Sequence, residues 1–119
     1  MMMANIINHG NVTIMVKDID KSITFYTKTL GLALAEVYGK EWAEVKTTGL
    51  TIGLHPHRKP KEKNQGISVG FTVRKLEPAM KALKKKGIKF SAIHHEGPVS
   101  LAFFTDPDST PLYLCQMNY

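Results

Sequence analysis

The sequence lacks the features that mark secreted, disulfide-stapled or membrane-spanning proteins. Its 119 residues include one cysteine, Cys115, which leaves no partner for an internal disulfide. No apolar run approaches the roughly 18 residues that a membrane-spanning helix needs. The start MMMANIINHG has neither the charged segment nor the long apolar stretch of a secretory signal. These absences predict a cytoplasmic protein with no membrane partner.

Positive charge is in excess, but its placement argues against nucleic acid. The net charge is +6, and the basic residues concentrate in segments 57–63 and 81–87. No aromatic side chains interleave with them, as a surface that binds nucleic acid would require. We therefore predict that both segments are solvated surface and that nucleic acid is not a partner. An acidic small molecule, attracted by the positive field, stays open as a ligand or substrate.

What the chain does contain is an internal repeat. The segment NVTIMVKDIDKSITFYTKTLGL, residues 11–32, returns in weaker form at residues 68–90. Asn11 and Ser68 are 57 positions apart, and Gly31 and Gly87 are 56 apart, so the register holds to one residue. A chain that repeats itself once predicts two halves that share one site.

Each half is predicted to run strand, helix, then three strands. Alternating apolar residues indicate the first strands, Asp18 is placed to cap the first helix, and Gly31 and Gly87 are typical helix stops. Pro78 fits the first turn of the second helix. The strands are predicted at residues 12–16, 32–37, 42–47, 51–55, 67–73, 89–94, 99–105 and 112–117.

This order predicts an α+β fold of two βαβββ modules within a single domain of residues 1–119. We expect module one over about residues 8–57, a linker over about 58–65 and module two over about 66–119.

Three segments carry a family resemblance: the D-I-D-K-S-x-x-F-Y-x-x-x-L-G-L run, the strand GLTIGLHP and the closing FFTDPDSTPLYL. Together they resemble the glyoxalase, bleomycin-resistance and extradiol-dioxygenase superfamily, also called the vicinal oxygen chelate (VOC) family. The resemblance covers nearly the whole chain. It implies that each module curls into half of an open barrel, and that two such modules side by side form an open, curved, barrel-like sheet with a central cleft. It also implies that small polar or aromatic molecules bind in that cleft.

Catalytic members of that family hold a divalent metal with histidine and glutamate from the first and last strands of the modules. The resemblance places these four positions at Asn11, Gly53, Ser68 and Tyr113. Glycine offers no side-chain ligand, and neutral asparagine, serine and tyrosine bind such ions poorly. We therefore expect neither a metal nor another cofactor.

A displaced metal site is the alternative. His9 and His55 lie two residues from Asn11 and Gly53, so on a strand they would face the same side. His94, His95 or Glu96 would have to complete the site, and adjacent histidines on a strand point to opposite faces. Surface or structural roles for these side chains are the simpler interpretation.

With the metal set aside, strand alternation and the resemblance predict which residues line the cleft. They are hydroxyl, amide, aromatic, small and sulfur-containing side chains, a mixture that suits a mostly apolar ligand with a few hydrogen-bond anchors. Filling of the barrel interior is the alternative role. The predicted ligand-binding residues are Asn11, Thr13, Met15, Trp42, Ser68, Gly70, Thr72, Tyr113, Cys115 and Met117.

The sequence therefore predicts a metal-free small-molecule-binding protein that forms a homodimer and holds a small planar or amphipathic compound. The alternative is a lyase or isomerase of the same superfamily, with a relocated or absent metal site and acid–base groups such as Glu36, Glu44 or Glu96. Nothing in the sequence assigns a catalytic residue. In a third interpretation the cleft is vestigial and the chain serves only as an assembling subunit.

Overall fold

The computed structural model describes residues 10–56 and 67–118, which form two four-stranded sheets with a helix against each. The predicted α+β class and βαβββ order are confirmed, while the predicted linker lies outside the described residues. Module one comprises β1 (Val12–Val16), α1 (Ile19–Thr24), a π-helical turn (Phe25–Thr29), β2 (Ala33–Tyr38), β3 (Trp42–Thr47) and β4 (Leu50–Pro56). Module two comprises β5 (Val69–Thr72), α2 (Leu76–Lys84), β6 (His94–Glu96), β7 (Val99–Thr105) and β8 (Pro111–Met117).

Both sheets have the same topology. Their strand orders are β1-β4-β3-β2 and β5-β8-β7-β6, with the first strand of each module parallel to the last and the other pairs antiparallel. Thr13 pairs with Gly53 in the first sheet, and Gly70 pairs with Tyr113 in the second. The first and last strands, from which the resemblance drew all four metal positions, are therefore neighbours in each module.

One face of each sheet is buried against its own helix. In the first sheet, Ile14, Ile52 and Leu54 are fully buried beneath α1. In the second, Leu112 and Leu114 take the same place beneath α2. Because strand side chains alternate between faces, the residues between these lie on the opposite side of the sheet. We call that side the open face.

The modules are joined by a buried hydrogen bond. The hydroxyl of Tyr26, which is fully buried, donates to Oδ2 of Asp106 at 2.7 Å. The other carboxylate oxygen accepts the backbone N–H groups of Asp108 and Thr110, at 2.9 and 2.8 Å. Burial, and then the neighbouring Asp106 charge, raise the pKa of Tyr26 far above its ordinary value. The first and last of the three segments that carry the family resemblance thus meet in space.

The two helices begin differently. Asp18 caps α1 as predicted, because its side chain accepts the N–H of Lys21 at 3.1 Å. The corresponding residue of the repeat, Lys75, makes no capping bond. Instead, Oε1 of Gln116 on β8 accepts the N–H of Leu76 at 2.6 Å. The second helix is therefore capped by a neighbouring strand.

The helix stops agree with the sequence prediction. Gly31 and Gly87 adopt φ values of +85° and +94°, which a residue with a side chain rarely adopts. None of the helices within the described residues is long and apolar enough to cross a membrane.

The prediction of a strand over residues 89–94 is wrong, since regular pairing is limited to β6. The N–H of Ser91 donates to the carbonyl of Phe103 at 2.9 Å, as in a ladder. The N–H of Phe103, however, donates to the Ser91 hydroxyl at 3.0 Å rather than to a backbone carbonyl. The serine side chain therefore interrupts the ladder.

Candidate functional site

At the centre of the first open face, an indole ring covers a glycine. Trp42, from β3, lies over Gly53 of β4: a Cβ atom at Gly53 would be 2.6 Å from Cζ2 of the ring and closer still to Cη2. The indole N–H donates to Oε2 of Glu44 at 2.8 Å, which holds the ring in place. The missing side chain at Gly53 is therefore what makes room for Trp42.

His55 borders the indole. The two ring centroids are 6.3 Å apart, with the ring planes at 69°. Nδ1 of His55 lies 2.8 Å from the carbonyl oxygen of Pro56. Across the parallel ladder, Met15 pairs with His55, which places both side chains on the open face.

A polar hollow of about 590 Å³ adjoins these residues. Glu36 and Glu44 pair across β2 and β3, so two carboxylates lie side by side. The hydroxyl of Thr13 donates to Oδ1 of Asn11 at 3.4 Å. The residues that line the hollow are Gly10, Asn11, Leu34, Ala35, Glu36, Glu44, Lys46 and Thr51.

The second open face carries a row of aromatic rings. Tyr113, from β8, lies over Gly70 of β5, where a Cβ atom would be 2.5 Å from the tyrosine oxygen and nearer still to the ring. Phe103 packs against Tyr113 with centroids 5.8 Å apart, and His94 packs against Phe103 at 5.6 Å. The row runs from one edge strand of the sheet to the other.

The remaining predicted residues extend this second face. The Cys115 thiol lies 3.8 Å from the sulfur of Met117, and Cys115 pairs with Thr72 across the parallel ladder. Ser68 lies exposed just before β5. The structure thus places the ten predicted residues on, or directly beside, the two open faces, and their contact with a ligand stays a prediction.

A groove of about 750 Å³ separates the two modules. One wall is the β3–β4 turn with Thr48 and Gly49, and the other is formed by β5 and α2, with Phe71 and Leu83. Gly70 and Thr72 of β5 line this wall as well.

The four inherited metal positions do not fit a metal. Gly53 and Tyr113 belong to the two covered pairs just described, and Asn11 and Ser68 supply only neutral oxygens, which hold divalent ions poorly. Across residues 10–56 and 67–118, no three His, Cys, Asp or Glu side chains are grouped to hold an ion.

The histidines of the displaced-site alternative are spread apart. His9 lies outside the described residues. His55 lies on the first sheet, whereas His94 lies on the outer strand of the second. Nδ1 of His95 lies 3.0 Å from the buried Ser100 hydroxyl, on the helix side of the sheet, so adjacent histidines point to opposite faces as expected.

Sequence reasoning missed Phe103, Lys46 and Thr51. Alternation along β7 could have placed Phe103 opposite the buried Ala102 and Phe104. Its contact with Tyr113 depends on the pairing register, which the sequence does not display.

Comparisons with known proteins support the architecture. The family model described as Glyoxalase/Bleomycin resistance protein/Dioxygenase superfamily matches residues 6–112. Integron cassette protein HFX_CASS4, from the mobile metagenome of the Halifax Harbour sewage outfall, is 26% identical with a TM-score of 0.73, covering 90% of this chain and 96% of that one. No curated protein matches the chain.

Two further solved structures share the fold at lower identity. TnmS3, an antibiotic-binding protein from Streptomyces sp. CB03234, is 22% identical with a TM-score of 0.76, covering 96% of this chain and 99% of that one. A glyoxalase family protein from Enterococcus faecalis is 19% identical with a TM-score of 0.76, covering 92% and 97%.

Proposed function

The chain belongs to the glyoxalase/bleomycin resistance protein/dioxygenase superfamily, and we propose that it is a single-domain, metal-free protein that binds a small, flat, mostly apolar compound on its open faces. One observation carries the proposal: on each open face an aromatic side chain lies over a glycine, Trp42 over Gly53 and Tyr113 over Gly70. Aromatic rings favour offset or edge contacts with other rings. Both sheets therefore offer surfaces on which a flat ligand can pack.

Polar groups beside the rings can orient such a ligand. Asn11, Glu44 and His55 supply amide, carboxylate and imidazole groups on the first open face. Ligand sites usually combine a mostly apolar lining with a few polar anchors of this kind. TnmS3, which shares the fold, is described as an antibiotic-binding protein, and this supports the same class of function.

A thermal-shift screen of planar aromatic compounds tests the proposal, because a ligand that binds the native state raises the melting temperature. Trp42 is the only tryptophan, so its fluorescence reports directly on the first open face. A genuine hit should alter this emission and bind more weakly to Asn11→Leu. Hits that leave both unchanged would contradict binding at the first open face.

The metal-free part of the proposal needs a separate experiment. Protein prepared without a histidine tag is titrated with nickel, zinc, manganese and iron. We expect no stoichiometric binding and no rise in melting temperature, because the four inherited positions supply no strong ligands. An ion bound one to one that stabilises the protein would contradict this part alone.

We also propose a cytoplasmic homodimer with no nucleic-acid or membrane partner. Tyr38, Phe103 and Met117 are 60%, 40% and 37% exposed, although all three are large and largely apolar. Phe103 and Met117 lie on neighbouring strands and on the same face of the second sheet, and apolar side chains exposed together often mark an association surface. Sedimentation equilibrium should give twice the monomer mass, and Phe103→Glu should lower it if the second open face contributes to the contact.

The second candidate is a lyase or isomerase. The paired Glu36 and Glu44 carboxylates favour it, since two carboxylates beside a hollow could move a proton on a bound ligand. Solvent deuterium should then exchange into a bound ligand, as seen by NMR, and Glu44→Gln should abolish the exchange without abolishing binding. Absence of exchange in the wild type would contradict the enzyme alternative, and only the binding role would remain.

A further inference from the structure

The polar side chains in contact with the Trp42 ring are hydrogen-bond acceptors. The indole has one N–H, and it already donates to Glu44 at 2.8 Å, so a ligand stacked on the ring does not gain that donor. A carboxylate only accepts hydrogen bonds. A second polar neighbour of the indole is the half-buried imidazole of His55, whose role depends on which nitrogen carries the proton.

The contact with Pro56 decides the tautomer. Nδ1 of His55 lies 2.8 Å from the Pro56 carbonyl oxygen, and a carbonyl oxygen can only accept. Nδ1 must therefore carry the proton. In the neutral imidazole, Nε2 then holds a lone pair and acts as an acceptor.

This acceptor is without a protein partner within residues 10–56 and 67–118. His55 shares the open face with Met15, with which it pairs, and borders the ring that covers Gly53. A flat ligand on Trp42 would displace water from Nε2. Covering an acceptor without replacing its hydrogen bond is unfavourable, so the ligand that suits this place brings a donor of its own.

We infer that the bound compound is a hydroxyl-bearing aromatic molecule, whose ring lies on Trp42 while its O–H donates to Nε2 of His55. This inference rests on the proposed function. The imidazole is then a specificity-determining group. It selects hydroxylated rings over rings of the same shape whose oxygen carries no hydrogen.

Two probes of nearly equal shape test this inference. 2-Naphthol has the ring and the donor, and 2-methoxynaphthalene has the ring with the donor replaced by a methyl ether. Isothermal titration calorimetry of the full chain should show 2-naphthol binding roughly five- to tenfold more tightly, the effect of one neutral hydrogen bond. In His55→Phe, which keeps a ring beside Trp42 but removes the acceptor, the two affinities should become equal.

A second variant separates loss of the acceptor from loss of structure. His55→Gln places an amide near the position of Nε2, and its oxygen can accept, so it should restore part of the preference for 2-naphthol. His95→Phe is the matched control, because that imidazole contacts Ser100 on the helix side of the other sheet and should leave the preference unchanged. Circular dichroism verifies that each variant is folded.

The outcomes distinguish this inference from the proposed function. If both probes bind the wild type equally, or if His55→Phe keeps the preference, the role of His55 is wrong while aromatic binding stands. If neither probe binds and no planar compound changes Trp42 fluorescence, the proposed function fails and this inference fails with it.

Discussion

The two modules place the same combination, an aromatic ring over a glycine, on their open faces but build it from different strands. In module one the glycine, Gly53, is on the last strand and Trp42 comes from the strand beside it. In module two the glycine, Gly70, is on the first strand and Tyr113 comes from the last. The architecture is repeated, whereas the site is not. Each module covers its glycine with a ring from a different strand.

The two rings also differ in how firmly they are held. The indole of Trp42 donates to Glu44 and contacts His55. The hydroxyl of Tyr113 has no hydrogen-bond partner within the described part of the chain, and the neighbour of its ring is Phe103. The first face is therefore a fixed platform, and the second can adjust to a ligand.

The largest effect is expected where the modules meet. Tyr26→Phe removes the donor to Asp106 and leaves a carboxylate oxygen buried without its bond, so the free energy of unfolding should fall by about 2–3 kcal/mol. Urea denaturation measures it. Tyr113→Phe is the matched control, with an expected change below about 0.5 kcal/mol. Equal changes in the two variants would show that the modules do not depend on this contact.

The same hydroxyl predicts a dependence on high pH. Folding raises the pKa of Tyr26 above the value near 10 of the unfolded chain. The stability it contributes is therefore complete below about pH 10 and is lost above it, at about 1.4 kcal/mol per pH unit. Urea midpoints measured from pH 8 to 11 should fall more steeply in the wild type than in Tyr26→Phe. Parallel curves would contradict the buried, neutral phenol.

Alanine at the two glycines sharpens the comparison of the faces. Gly53→Ala should lower the free energy of unfolding by about 1–3 kcal/mol, since the added carbon displaces an indole held by Glu44. Gly70→Ala should cost less, because the end of an unanchored tyrosine can move away. Thermal denaturation of both variants checks the order, and a larger loss at Gly70 would reverse our view of which ring is fixed.

Removal of a helix cap is expected to lower the free energy of unfolding by a smaller amount. Asp18→Ala and Gln116→Ala should each cost about 1 kcal/mol, since each side chain accepts an N–H at a helix start. Lys75→Ala should be nearly neutral, because Lys75 makes no capping bond. A loss at Lys75 equal to that at Asp18 would mean that the two helices are capped alike.

The smallest expected effect is a gain. Ser22 is buried, and its hydroxyl has no hydrogen-bond partner in the described regions. The corresponding residue of the repeat is Ala79. Ser22→Ala should therefore raise the free energy of unfolding by about 0.5–1 kcal/mol, because it removes an unsatisfied polar group and favours the helix. A loss of stability would indicate a partner for this hydroxyl.

Local patterns predicted most of the fold. Alternation located β1 and β5, and Gly31 and Gly87 marked the helix ends, because these features depend on neighbours along the chain. The prediction of a strand over residues 89–94 was wrong, since the apolar pattern does not reveal that the Ser91 hydroxyl replaces a backbone acceptor.

For the site, the sequence predicted which sheet faces the residues occupy but not which side chains contact each other. The family resemblance placed Gly53 and Tyr113 on the inner sides of their strands, and the two-residue period of a strand extended this to residues such as Cys115 and Met117. That Trp42 lies over Gly53, or that Nδ1 of His55 contacts the Pro56 carbonyl, depends on register and rotamers that no sequence pattern contains.

Titration of EDTA-treated protein with a flat aromatic compound, followed by the fluorescence of Trp42, tests the central claim most directly. We predict a saturable change in emission with the same midpoint before and after chelation, because the rings rather than an ion form the binding surface. An emission change that disappears with EDTA and returns with a divalent metal would contradict the account.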